Sequence, residues 1–421
     1  MVSKAWMLAV ATALAAAATP VVGGEFNPLG DGSDYNNGDL MRDETTGCEN
    51  CQQPPYEWEE PPFDIDWQLG LRGSVTQDDG GTQVELLALP EATLTHNTMR
   101  GSYSVGAAAE LSYELEGDAQ VDALRLSGSA DYQFDAVTSA GLKGSFGLSQ
   151  DDPNDPGYAD NVATAPLVLD GQVDGNVRRD FGAFEAELRA NAARTVYGET
   201  TYDDATTSPN DFQNTTVGGV GGRFGYRLSP GLTAFVDGNA TYEAYDEASP
   251  TLLVKLDNVT YEGRAGLNFK ALTVLELEGS LGLGHRDFGD GSLTDFTAVL
   301  YDGKAIFRPD ETLTLTGTFS TALESPGTTS GATAKVTYAA TGEAAYQVNP
   351  WLRLRGSAEW SEAHYQGIAT DEYKWNVGVG ADYLLNEHMD ATADYTYSQS
   401  TTTPGPTEDQ QRLMLGLNIH R

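Results

Sequence analysis

Two carboxylates stand two apart in "LTVLELEGSLGLGH", at Glu276 and Glu278. If that stretch is a strand, both side chains leave the same face, as a general acid and its partner base would need to. Bathed in water on a polar face, however, two such groups are ordinary solvated acids. The five histidines are His96, His285, His364, His388 and His420. They are scattered among separate segments, and none lies in a nucleophile elbow or at metal-ligand spacing. The two cysteines, Cys48 and Cys51, form the CxxC of "TGCENCQQPP". A local disulfide is the simplest use of that pair in an exported chain, with a redox or metal role as the alternative. These residues give no catalytic constellation, no metal site and no cofactor, and the reading is that this protein is not an enzyme.

The residues that carry more information are charged and recur on one face of long alternating segments. In "RLSPGLTAFVDGNATYEAYD" the row Leu232, Ala234, Val236, Gly238, Ala240, Tyr242 is apolar, while Thr233, Phe235, Asp237, Asn239, Thr241, Glu243 is the wet row. "VTYEGRAGLNF" sets Val259, Tyr261, Ala265 and Leu267 against Glu262 and Arg264, and "LRLRGSAEW" sets Leu352 and Leu354 against Arg353 and Arg355. Period-two alternation over ten or more residues is a strand with two unlike faces, longer than the usual five or six residues of a soluble sheet.

Composition bounds what such strands can build. Acids outnumber Lys plus Arg by 62 to 24, for a net charge of −38 in 421 residues, which excludes nucleic acid as a partner. Residues 1–24, with Lys4 followed by an apolar stretch from Ala5 to Ala18, read as a cleaved export signal. Residues 25–62 are rich in Gly, Pro, Asn and acids without periodicity, and read as a flexible periplasmic segment. Beyond the leader no apolar run is long enough for a membrane helix.

From residue 63 to 421 the chain reads as an all-β fold, a single antiparallel transmembrane β-barrel of about 18 strands. Sixteen is the alternative, because Gln83–Leu115 has weak turn signals and contains Pro90. Tight turns such as Asp180–Gly182, Ser229–Gly231, Pro309–Glu311 and Asn349–Pro350 alternate with longer polar loops, as periplasmic turns alternate with outside loops in outer-membrane barrels. Aromatics fall at two depths. Phe134, Phe184, Tyr226, Phe269, Phe307, Tyr346, Trp351 and Tyr383 stand near the turns, and Tyr113, Tyr197, Tyr261, Tyr338, Trp360 and Tyr373 near the loops.

The wet rows then line a lumen, and the candidate lining residues are Arg178, Arg227, Asp237, Glu243, Glu262, Arg264, Glu276, Glu278, Arg308, Arg353 and Arg355. Arg178, Arg227, Arg308, Arg353 and Arg355 gather toward the turns. The outside loops are acidic, with Asp151, Asp152, Asp155, Asp203, Asp204, Asp246, Glu247, Asp290, Asp295, Asp371, Glu372, Glu408 and Asp409. No outside loop is long enough to fold in as a large plug, so the lumen is expected to be at least partly open, with a mild cation preference at its outer mouth.

"GGRFGYRLSPGLTAFVDGNATYEAYD", "GLNFKALTVLELEGSLGLGHRDFGDGSLTDFTAVLYDGKAIFRPDETLTLTGTFS" and "YAATGEAAYQVNPWLRLRGSAEWSEAHY" resemble a family described as putative outer-membrane beta-barrel porins, often encoded near exopolysaccharide export genes. The resemblance spans roughly residues 64–421. It implies a passive channel in the outer membrane of a Gram-negative bacterium, or an accessory of exopolysaccharide export. Implied partners are outer-membrane lipid and lipopolysaccharide, the barrel assembly machinery and polysaccharide export components. Many such barrels end in an aromatic residue, whereas this chain ends Ile419–His420–Arg421. A structural or surface-binding barrel is the second reading, and a lipid- or polysaccharide-modifying enzyme the third.

Overall fold

Alternation becomes a closed wall in the computed structural model, which describes residues 63–78, 81–115, 119–150, 161–271 and 273–421. The export signal, the segment 25–62 with Cys48 and Cys51, and Asp151, Asp152 and Asp155 lie outside the described residues. The wall begins with β1 (Asp64–Asp78), β2 (Gly81–Asn97), β3 (Gly101–Glu114), β4 (Ala119–Asp135), β5 (Thr138–Gln150) and β6 (Leu167–Asp180). It continues through β7 (Phe184–Tyr197), β8 (Thr215–Ser229), β9 (Leu232–Tyr245), β10 (Asn258–Ala271), β11 (Leu275–Phe288) and β12 (Phe296–Phe307). The last third is β13 (Leu313–Glu324), β14 (Ala334–Asn349), β15 (Leu352–Gln366), β16 (Asp371–Asn386), β17 (Met389–Thr403) and β18 (Thr407–His420).

Each strand pairs antiparallel with the next, and the sheet of 18 strands closes where β1 meets β18, from Gln68 opposite His420 to Gln77 opposite Gln411. Closure pairs the wall all round, since an unpaired backbone group in lipid would cost several kcal/mol, the exception being the β12–β13 seam, whose pairing stops at Gly303 and Phe319. The count of 18, not 16, holds because β2 accommodates Pro90. Pro90 stands opposite Leu69 of β1, while the β2–β3 ladder steps from Ala88–Leu111 to Glu91–Ala108 without pairing it. A residue lacking an N–H is thus carried where no ladder bond is asked of it.

The turns at the end where β1 begins and β18 ends share one local chemistry. Asp135, Asp180, Asp310, Asn349 and Asn386 each accept the N–H of the residue two further on, at 2.8–3.0 Å. An Asx side chain folding back in this way closes a tight turn with few residues. Gly182, at φ +85°, supplies the left-handed step in one of them. The opposite end is less uniform than the alternation of short and long connections suggests, since Asp78 pairs directly with Gly81.

The apolar rows point outward. Leu188, Val220, Leu281 and Leu283 are 59–70% exposed, a surface that only acyl chains would tolerate. The eight aromatics near the turns all lie exposed on this outer face. The second aromatic level needs one correction. Tyr197 stands opposite the buried Val168 and shares the parity of Glu185 and Glu187, so it faces inward. Its two-residue periodicity, counted from the short turn, runs unbroken along β7, and nearness to a loop did not reveal the side. Asp371, Glu372, Glu408 and Asp409 are likewise on strands, not loops, because β16 and β18 run past the lipid.

Candidate functional site

Inside a closed barrel, side chains from strands that are not neighbours converge, whereas outside they splay apart. Ion pairs that skip strands therefore mark the lumen. Arg189 of β7 pairs with Asp237 of β9. Arg223 of β8 reaches Glu278 of β11 at 2.9 Å, and Arg264 of β10 reaches Asp302 of β12 at 2.7 Å while also holding Glu262 at 2.7 Å. Further round the wall, Arg355 of β15 binds Asp382 of the adjoining β16 and Asp394 of β17, each at 2.8 Å.

Near the turns, Arg178 bonds Glu185 at 3.0 Å, and Arg227 bonds both Glu185 and Asp180. Glu276 takes Lys270 at 3.1 Å, and Glu278 takes Arg223 and the Asn268 amide. The two carboxylates at 276 and 278 thus each hold a separate cation. A cavity of about 390 Å³ opens between these groups, bordered by Arg178, Glu187, Arg227, Thr233 and Glu276. Arg308 is exposed beyond the end of β12 and Arg353 is half-buried on β15, and neither has an ion-pair partner among the described residues. Arginines read from the sequence as a cationic row near the turns are therefore mostly neutralised in place. Arg189, Arg223 and Asp302, absent from the candidate set, stand on the same rows as Glu187, Arg227 and Lys304. Parity alone would have found them.

The wet row of β9 contains two aromatics, Phe235 and the terminal Tyr245, and the structure explains the first. Phe235 lies opposite Gly266 of β10 and is only 6% exposed. A Cβ at Gly266 would sit 2.5 Å from the ring and against the Gly279 carbonyl, so only glycine lets the ring lie flat on the wall. Arg223 then stacks on the ring, its guanidinium 3.5 Å from the centroid, before bonding Glu278.

The outer half of the lumen is built differently. Arg286, on the inward row of β11, is 4% exposed. Its Nε donates to Thr260 Oγ1 at 3.1 Å, its Nη1 to Ser325 Oγ at 2.9 Å and its Nη2 to the Leu323 carbonyl at 3.0 Å. Ser325 in turn donates to Glu243 of β9, which also accepts from Asn258 and Tyr245. Ser325 follows β13, four strands from β9, so it can reach Glu243 only by crossing the interior. Further along, Ser249 donates to the Thr328 carbonyl and Thr251 to that of Thr329 at 2.9 Å. Ala332 packs on Ala363 and Tyr365 of β15, and Lys335 bonds Glu324 at 3.0 Å. The tip of the β13–β14 hairpin is therefore folded into the barrel and pinned on both sides. Loop length did not anticipate this, because the strands themselves bend inward and carry a short loop with them.

The histidines stay apart. His285 contacts Thr297 at 2.9 Å, His364 contacts Asp371 at 2.7 Å, His388 lies 3.7 Å from Glu387, and His420 lies 3.4 Å from Asp390. Among the described residues no cluster of His, Cys, Asp and Glu is placed to hold a metal ion.

A closed sheet with a lipid-type outer surface and a charged, converging interior defines an outer-membrane porin-type barrel. The model of the family Putative beta-barrel porin 2 matches residues 86–421, and the chain belongs to that family. No curated protein matches the sequence. Among solved structures, OccK3 (OpdO) of Pseudomonas aeruginosa is 13% identical with a TM-score of 0.46, covering 85% of this chain and 96% of that one. OpdK of the same organism, solved with vanillate, is 11% identical with a TM-score of 0.47, covering 85% and 99%. The FrpB iron transporter of Neisseria meningitidis is 10% identical with a TM-score of 0.47, covering 80% and 63%.

Proposed function

We propose that this protein is a passive outer-membrane channel for small hydrophilic solutes, narrowed in its outer half by the inward β13–β14 hairpin. The observation that carries this is the set of interior ion pairs spanning non-adjacent strands, which a dry barrel core would not accommodate. Mixed and mostly paired charges favour water-filled passage over tight binding of one ion type. Single-channel recording in planar bilayers tests the proposal. Folded protein should give discrete conductance steps, and shortening the hairpin tip within residues 326–331 should enlarge them. Folded protein that conducts nothing in either form would move the reading to a structural or surface-binding barrel. An accessory part in exopolysaccharide export is a proposal that rests on the family resemblance. Co-purification of export components with the tagged protein from its own outer membrane would support it.

A further inference from the structure

The wall is not uniformly zipped. β12 and β13 pair only from Gly303–Phe319 to Phe307–Leu315, five pairs at the turn end. Their neighbours pair along far more of their length, as from Asn258–Phe288 to Ala271–Leu275 between β10 and β11. Beyond Gly303 the backbone ladder is replaced by a side chain. Thr321 Oγ1 accepts the Tyr301 N–H at 3.2 Å and donates to the Tyr301 carbonyl at 3.1 Å.

Parity shows what happens there. Ala298 and Leu300 share the inward row of Asp302. Leu323, four residues beyond the lipid-facing Phe319, and Val336 opposite it belong to the outward row. Yet Ala298, Leu300, Leu323 and Val336 are buried together with Phe288, Leu300 at 0% exposure. Inward residues of β12 can meet outward residues of β13 and β14 only if β13 slips behind β12. The wall overlaps itself in this half, like the edge of a scroll. It is sealed by apolar side chains and one hydroxyl in place of backbone bonds.

A trough on the outer face lies over the paired part of this seam and ends beside the overlap. It has a volume of about 870 Å³ and runs over Gly279, Gly303 and Gly317 between Leu267, Leu281 and Phe319. Gly303 and Phe319 are also the last pair before the ladder stops. An apolar strip therefore runs from the lipid face to the edge of the overlap, where Ala298, Leu300, Leu323 and Val336 are packed shut against one another and Phe288. Side-chain packing can part and re-form without breaking a ladder, whereas a zipped seam in lipid cannot.

We propose that the β12–β13 overlap is a lateral passage by which a single-chain amphiphile moves between the lumen and the bilayer, its tail in the apolar seam and its head on the polar interior. This rests on the barrel reading but not on conductance. The test uses vesicles containing the full protein and a fluorescent lysophosphatidylcholine added outside, with the fraction still extractable by albumin followed in time. Wild-type protein should move the probe to the inner leaflet at least tenfold faster than protein-free vesicles do. Leu300→Cys with Leu323→Cys, oxidised and verified as cross-linked, should bring the rate to within twofold of protein-free vesicles while leaving conductance in place. Reduction should restore the rate. Thr321→Val, which removes the bridging hydroxyl and needs no cross-link, should raise the rate severalfold. Wild-type transfer no faster than in protein-free vesicles, or rates unchanged in both the cross-linked and Val variants, would overturn the passage. Transfer without ionic conductance would overturn the channel reading instead.

Discussion

Arg286 and Gly266 show how single residues shape the interior. Arg286 serves acceptors from β10, the end of β13 and the residue after it from three separate nitrogens in one plane, whereas an ammonium has only one nitrogen to donate from. Arg286→Ala would leave the Leu323 carbonyl and two hydroxyls without their donor, a loss of about 1–3 kcal/mol for each buried group left unsatisfied. The expected outcome is a released hairpin, read as larger and noisier single-channel steps, with Arg286→Lys intermediate. Gly266→Ala places a methyl group against Phe235 and the β11 backbone, and overpacking of this kind costs about 1–3 kcal/mol. The barrel should unfold at lower temperature in gel-shift assays, and displacement of the ring should weaken the contact between Arg223 and Glu278.

A strand reads its two solvents through adjacent residues, and β11 offers the cleanest comparison. Leu281 is 63% exposed on the outer row, while Ser280 beside it faces inward toward Asp302 at 3.3 Å. Leu281→Arg should cost about 2–4 kcal/mol, the penalty for a lipid-facing cation near the midplane. Ser280→Arg should cost little, because water and the Asp302 carboxylate receive the new charge. Denaturant titration of the two variants in lipid vesicles checks this, and equal tolerance would mean the faces are assigned wrongly. The same alternation explains why lumen glycines recur at 266 and 282, where Phe235 and the Arg264 stem lie across the wall.

At the level of the whole barrel, charge is unevenly balanced. The interior arginines are mostly paired, so the outside acids dominate the field at the outer mouth over about a Debye length, roughly 10 Å at 0.1 M salt. A salt gradient across reconstituted channels should show a mild cation preference that shrinks as ionic strength rises. Anion selectivity at low salt would instead single out Arg308 and Arg353, the lumen-candidate arginines without an ion-pair partner among the described residues. Two of the loop acids are held below the ordinary aspartate value, Asp204 by the Thr206 hydroxyl and N–H, and Asp290 by those of Ser292. A lowered value keeps these two charged further down in pH than an ordinary aspartate, so their share of the preference should be the last to fade on acidification. The sign for stability is the same. Their turns are fully stabilised above the unfolded aspartate value and lose that contribution as pH drops through the lower folded value.

The strand rows, a count of about 18 with 16 still open, the turn-end aromatics and the shared row of Glu276 and Glu278 were legible in the sequence, and the structure settled the count by pairing β2 on both sides of Pro90. The legible features follow from period-two alternation and from turn residues that act within three or four positions. Tyr197 escaped because its side depends on parity counted from a distant turn. Local pattern could not show which charges meet, since Arg223 and Glu278 are 55 residues apart and joined only by the curvature of a closed sheet. Nor could it show the scroll-like overlap of β12 and β13. Leu323 and Val336 alternate as lipid-facing residues do, and nothing in their spacing says that they are covered. That was decided by the tertiary structure, where Arg286 and Glu243 draw the β13–β14 hairpin inward and the adjoining ladder ends at Gly303 and Phe319.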